Sequence, residues 1–158
     1  MKTGSGLSGT SFIYPMNIIL DYNRTLYDPD ANALYRGVPE LLERLATKNT
    51  LFLVSRNEPG RQDRLEELGI KSYFRDIAFV EDKTIELFST MSNGGKETCV
   101  VGDRIREEIR LGNDLGLITI WVRQGKFAEE IPANSSEKPT HAIRSIIDLE
   151  KILTAYEI

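Results

Sequence analysis

Apolar positions come along this chain in short runs: Asn17 to Leu20, Leu51 to Val54, Ile77 to Val80, Cys99 to Val101 and Ile118 to Val122. Each run has the length of a strand and each is followed by turn or cap residues. Because they are apolar at successive positions rather than at alternate ones, they predict strands covered on both faces, as in a parallel sheet. The stretches between them change to helical spacing. Gly37 to Thr47 sets Val38, Leu41, Leu42 and Leu45 on one stripe. Pro59 to Leu68 opens with a proline suited to a first helical turn, and Lys83 to Met91 and Ile105 to Leu115 complete the series. Thr140 to Ile143 reads as a short edge strand, and Arg144 to Tyr156 as a closing amphipathic helix.

Strand and helix in repeated alternation predict an α/β fold: one doubly wound, mostly parallel sheet of Rossmann-like type, with helices on both faces and right-handed crossovers. With 158 residues and 41% hydrophobic composition, the chain can build a single sizeable core. Residues 1–15, rich in Gly, Ser and Thr, are expected to be a flexible leader, and residues 16–158 the core domain. Met16, directly before the first strand, is a candidate functional start.

Charge and cysteine content narrow the partners. The net charge of −4 gives no basic footprint for nucleic acid and no attraction to an anionic membrane surface. No apolar run approaches the ~20 residues that cross a bilayer. The single cysteine, Cys99, lies in an apolar run and supplies neither a disulfide nor a cysteine metal cluster, which fits a reduced, cytoplasmic setting. A small solute or another protein is the expected partner.

In a doubly wound sheet, ligands bind beyond the carboxyl ends of the strands, where the strand order reverses. That rule picks out Asp21-Tyr22-Asn23-Arg24-Thr25-Leu26 after the first strand, Ser55-Arg56-Asn57 after the second and Gly102-Asp103 after the fourth. Two carboxylates and a hydroxyl then share one rim, and hard oxygen donors from two strand ends suit Mg²⁺. Other phosphate sites do not fit. Gly94-Gly95-Lys96-Glu97 lacks the spacing and the hydroxyl of a P-loop, and no Gly-x-Gly-x-x-Gly follows the first strand. A receiver domain wants its aspartate after the third strand, where this chain has Val80-Glu81-Asp82-Lys83. Taken singly, Asp21 or Asp103 is also a plausible helix cap, Ser55 a turn residue and Lys83 a solvated charge.

Together these segments resemble the motifs of the haloacid dehalogenase-like superfamily. Ile18-Ile19-Leu20-Asp21-Tyr22-Asn23-Arg24-Thr25 is similar to its first motif, an apolar strand ending in Asp-x-Asp-x-Thr. Leu51 to Ser55 is similar to the second, Lys83 to the third, and Val100-Val101-Gly102-Asp103 with Glu107 or Glu108 to the fourth. The resemblance implies strand order 3-2-1-4-5 and phosphatase chemistry with Mg²⁺ as cofactor. Asp21 would be the nucleophile that forms an aspartyl-phosphate. Asp21, Asp103 and the main-chain carbonyl of Asn23 would hold the metal, with Glu107 or Glu108 behind them. Ser55, Arg56, Thr25 and Lys83 would bind phosphate oxygens, Ser55 and Lys83 as part of the catalytic set; Lys83 would neutralise shared charge, and Thr25 would also orient the loop.

Two positions depart from the pattern. Asn23 stands where the family has its general acid/base, and an amide neither gives nor takes a proton near neutral pH. Arg24 replaces the common glycine and is either an anion contact at the site mouth or, more simply, a solvated side chain. Lys96 rivals Lys83 but looks like a turn residue. The gaps from Asp21 to Ser55 and from Ser55 to Lys83 leave no room for a cap domain. The implied substrate is a phosphate ester, either a small molecule or a phosphorylated macromolecule, at an open site that either admits large substrates or is closed by a second copy of the chain. The alternative is a phosphate- or protein-binding module weakened by Asn23.

Overall fold

The computed structural model describes residues 15–92 and 97–155. The leader expected over residues 1–15, apart from Pro15, lies outside this range, as do Asn93 to Lys96 and Tyr156. Along the chain run β1 (Asn17–Leu20), β2 (Tyr27–Asp28), β3 (Ala33–Leu34), α1 (Val38–Lys48), β4 (Thr50–Arg56), α2 (Arg61–Glu67), β5 (Asp76–Val80) and α3 (Ile85–Met91). Then follow β6 (Thr98–Gly102), a π-helical turn (Ile105–Ile109), α4 (Arg110–Asp114), β7 (Ile118–Val122), β8 (His141–Ile143) and α5 (Leu149–Thr154).

Six strands form one parallel sheet in the order β5-β4-β1-β6-β7-β8. Among the five principal strands this is the expected 3-2-1-4-5, with the short strand β8 added at the edge. β1 sits in the middle, its Leu20 paired with Leu53 on one side and Val101 on the other. The chain leaves β1 toward β4 and β5 and returns on the far side through β6, so the strand order reverses between β1 and β6. Alternate residues of each strand enter separate layers, which is why the runs are apolar throughout. Ile18, Leu20, Leu51, Leu53, Cys99 and Val101 face α1 and α5; Ile19, Phe52, Val54 and Val100 face Phe88 and Met91 of α3 and Leu111 of α4. Ile18, Ile19 and Leu20 are at most 1% exposed, and burial of each such side chain stabilises the fold by about 1.5–3 kcal/mol.

Some element boundaries depart from expectation. Pro59 precedes α2 rather than opening it: Gly60, at φ 78°, caps the helix in a left-handed conformation. Lys83 lies before α3, whose N-cap is Thr84, with its side chain accepting from the Leu87 amide. The closing helix begins only at Leu149, after a 3₁₀ turn over Ile146–Asp148. Between Asp21 and Ser55 lie only the hairpin β2–β3 and α1, and between Ser55 and Lys83 only α2, a 3₁₀ turn and β5, so neither gap holds a cap domain. Among the described residues no helix is long and apolar enough to cross a membrane.

Candidate active site

After β1 the backbone coils tightly. The Tyr22 carbonyl accepts from the amides of Thr25 (3.2 Å), Leu26 (2.9 Å) and Tyr27 (3.0 Å), while Arg24 takes a left-handed φ of 59°. Thr25 is fully buried and its Oγ1 donates to Asp21 Oδ2 at 3.4 Å. The Thr25 hydroxyl thus meets the Asp21 carboxylate. From the far end of β7, Gln124 Nε2 donates to the carbonyls of Arg24 (3.1 Å) and Thr25 (3.2 Å), tying the coil to the sheet.

Lys83 reaches the same carboxylate from across the strand ends. Its Nζ lies 2.6 Å from Asp21 Oδ1 and 3.0 Å from Glu108 Oε1, with the side chain only 5% exposed. Lys96, the rival, falls outside the described residues. Asp103, directly after β6, accepts from Arg24 Nε at 2.9 Å, and its main-chain carbonyl accepts from Trp121 Nε1 at 3.0 Å.

The π-helical turn after Asp103 decides which glutamate joins the site. Ile105 and Ile109 pack with Trp121, and Glu108, on the same inner face, is buried with its Oε2 accepting from the Arg104 amide at 3.0 Å. Glu107 turns outward to Arg56 (3.1 Å) and Arg104 (3.0 Å). Gly102 makes the inward placement possible, because a Cβ there would collide with Glu108 Cγ and Oε2. As a result, Asp21, Asp103 and Glu108 bring carboxylate oxygens within 4.8 Å of one another.

The charges sort themselves unevenly. Burial raises the Asp21 pKa, but Lys83 and the hydrogen bonds from Asp103, Lys83 and the Tyr22 backbone more than offset this and hold it below the ordinary range. Burial, with the Asp21 and Glu108 charges, pushes Asp103 up to about 9, against a smaller pull from Arg24. Burial also raises Glu108, with Lys83 opposing. For Lys83, burial favours the neutral amine, but Asp21 and Glu108 overcome it and keep the ammonium charged. Asp21 is therefore an ionised carboxylate at neutral pH.

On the β4 side, Ser55 Oγ accepts from Arg61 Nη1 at 2.9 Å. Arg61 also donates to the Arg56 carbonyl (2.9 Å) and to Glu58 (3.1 Å), with its guanidinium 5.0 Å from the centre of the Tyr22 ring. Arg56 stands at the rim, half exposed. Asp21, Asn23, Arg24, Ser55, Arg56, Arg61, Lys83, Asp103, Arg104 and Phe127 line a cleft of about 200 Å³. Arg61, Gln124 and Phe127 were not found from sequence. Arg61 directly follows Gly60, six residues after Ser55, the only local signal it offers; Gln124 and Phe127 arrive through the tertiary fold.

The same fold recurs in known proteins. The sequence model of the HAD-hydrolase-like family matches residues 82–149. A haloacid dehalogenase-like hydrolase from Burkholderia xenovorans LB400 superposes with a TM-score of 0.75 at 14% identity, over 91% of this chain and 99% of that one. In sequence the chain is similar to this family over residues 82–149, and its fold is that of haloacid dehalogenase-like hydrolases. Another haloacid dehalogenase-like structure, the HAD-hydrolase YfnB from Bacillus subtilis bound to magnesium, aligns with a TM-score of 0.63 at 24% identity, over 76% of this chain and 56% of its own. In sequence, the chain is 27% identical over 100 residues to the glyceraldehyde 3-phosphate phosphatase of Methanocaldococcus jannaschii. That match covers 58% of this chain and 44% of the phosphatase, so the chain matches less than half the length of this relative.

Proposed function

We propose that the protein is a Mg²⁺-dependent phosphohydrolase that works through an aspartyl-phosphate on Asp21. The observation that carries the reading is the meeting of Asp21, Asp103 and Glu108 within 4.8 Å at the switch point, with Lys83 2.6 Å from Asp21. The donor set fits the metal: three carboxyl groups bring hard oxygens within 4.8 Å of one another, so close that burial and the Asp21 and Glu108 charges hold the Asp103 pKa up to about 9, and a divalent cation would relieve that crowding. Asp21 and Asp103, with the Asn23 carbonyl, would hold the ion, and Glu108 would support them. Bound there, Mg²⁺ would neutralise phosphoryl charge. Phosphatase-named relatives and a magnesium-bound neighbour support the same reading.

In the first step an Asp21 oxygen attacks phosphorus, and the bond from phosphorus to the ester oxygen breaks. Lys83 and the Ser55–Arg61 pair stabilise the equatorial oxygens. In the second step water attacks the same phosphorus, releasing inorganic phosphate and restoring the Asp21 carboxylate. Asn23, at the cleft wall, supplies no proton to the leaving group and takes none from water. That favours acyl and aryl phosphates over alkyl esters, and it is the observation behind the second reading, a binding module with little turnover. A panel of acyl, aryl and alkyl phosphates assayed with Mg²⁺ decides between them. Turnover of any member supports the enzyme; Mg²⁺ binding without turnover of any supports the module.

A further inference from the structure

Arg24 is not a solvated side chain. It holds a left-handed backbone conformation that arginine rarely takes, and its stem lies against Gly125, where a Cβ would approach Arg24 Cγ to 2.8 Å. Its guanidinium stands over the Phe127 ring at 5.0 Å and binds Asp103 at 2.9 Å. Gln124, next to that glycine, grips the Arg24 carbonyl. Phe127 also carries the Arg104 guanidinium at 3.9 Å and the Lys126 ammonium at 5.2 Å, but among these three Arg24 is the one packed on Gly125 and set on a carboxylate that stands beside two others.

We propose that Arg24 is a tethered counter-ion that contends with the divalent cation for Asp103 and, once displaced, becomes a contact for the phosphoryl group. The inference rests on the metal site proposed above. A guanidinium and a divalent ion seated on one small carboxylate repel each other, so each weakens the other's hold by the same factor. The displaced guanidinium already lines the cleft that also exposes Asp21, Ser55 and Lys83, and the anion it meets there is the bound phosphate. Metal and phosphate then bind cooperatively, because phosphate gives Arg24 a second partner.

The test is calorimetric titration of Mg²⁺ into wild type, Arg24→Asn and Arg24→Lys, without and with inorganic phosphate. Asparagine tolerates the left-handed backbone and removes the charge; lysine keeps the charge and controls for loss of packing. Without phosphate, Arg24→Asn should bind Mg²⁺ on the order of tenfold more tightly than wild type, and Arg24→Lys should stay close to wild type. Phosphate should then tighten Mg²⁺ binding in wild type by a larger factor than in Arg24→Asn. Equal Mg²⁺ affinity in wild type and Arg24→Asn overturns the contention, and an equal phosphate effect in both overturns the phosphate contact. Absence of Mg²⁺ binding in all three proteins overturns the metal site itself along with this inference.

Discussion

Asp103→Asn tests the metal reading through stability, because the structure sets opposite signs for the mutation with and without metal. In the metal-free protein the Asp103 carboxyl is raised to about 9 from an ordinary 3.8. The folded state then keeps a proton that the unfolded chain has released, so this group makes stability fall as pH rises from about 4 to about 9. Asp21, whose pKa is lowered, acts the other way only on the acid side, where its contribution is lost as pH drops below the ordinary aspartate range. At pH 7 the proton linkage at Asp103 costs roughly 4 kcal/mol, taking about 1.4 kcal/mol per pH unit over the three units above its unfolded value. The amide keeps the shape and removes that cost, but it loses the charge-assisted bond to Arg24 and has its own desolvation. A net gain of about 1–3 kcal/mol remains, or roughly 2–12 °C in melting temperature for a chain of this size.

Mg²⁺ reverses the order. At a concentration one hundred times its dissociation constant, a ligand bound only by the native state adds about 2.7 kcal/mol, so the wild-type melt should rise by roughly 5–11 °C. Asp103→Asn should melt higher than wild type in EDTA, respond little to Mg²⁺ and lose the fall in stability between neutral and alkaline pH. Scanning fluorimetry at pH 6, 7.5 and 9, with and without Mg²⁺, measures all three. Equal upward shifts with Mg²⁺ in both proteins would refute Asp103 as a ligand.

Asn23→Asp should speed alkyl-phosphate turnover by about 10²–10⁴-fold and aryl-phosphate turnover far less, while shortening the life of a trapped phosphoenzyme; a uniform change across ester classes would show that another group moves the proton. Gly102→Ala should cost about 1–3 kcal/mol in denaturant unfolding and weaken Mg²⁺ binding as well, since the new methyl takes the place of the Glu108 side chain. Cys99, fully buried in β6 with its thiol pushed up to about 12 by burial, should resist a thiol reagent in the native protein and react at the rate of unfolding; immediate stoichiometric labelling at neutral pH would contradict the packing.

The sheet was legible because each central strand is buried on both faces, which leaves apolar side chains along most of β1, β4 and β6. The carboxylates at the strand ends followed from the same topology. The hairpin β2–β3 was missed for a physical reason: strands of two residues carry no periodicity, and their register comes from the Tyr22 carbonyl and the contact between Tyr27 and Asn32. The choice between Glu107 and Glu108 did have a signal in sequence. Ile105 and Ile109 flank one inner face and Glu108 falls on it, but helical spacing alone could not anticipate a π-helical turn placed against a glycine. Nothing local marks Arg24 as a site residue, because its partners, Asp103, Gly125 and Phe127, lie about 80 to 100 residues away in the chain.

The chain's single tryptophan is joined by one hydrogen bond to the backbone of the residue on which the metal reading turns. Trp121 is 4% exposed, with the Arg123 guanidinium 4.7 Å from its ring centre and the Asp103 carbonyl on its indole nitrogen. An indole excited state is sensitive to the field along its ring and to the strength of that hydrogen bond. The protein therefore carries an intrinsic optical probe at its site: charge arriving at or leaving Asp103 is written into the emission of one fluorophore, against a background of tyrosines alone.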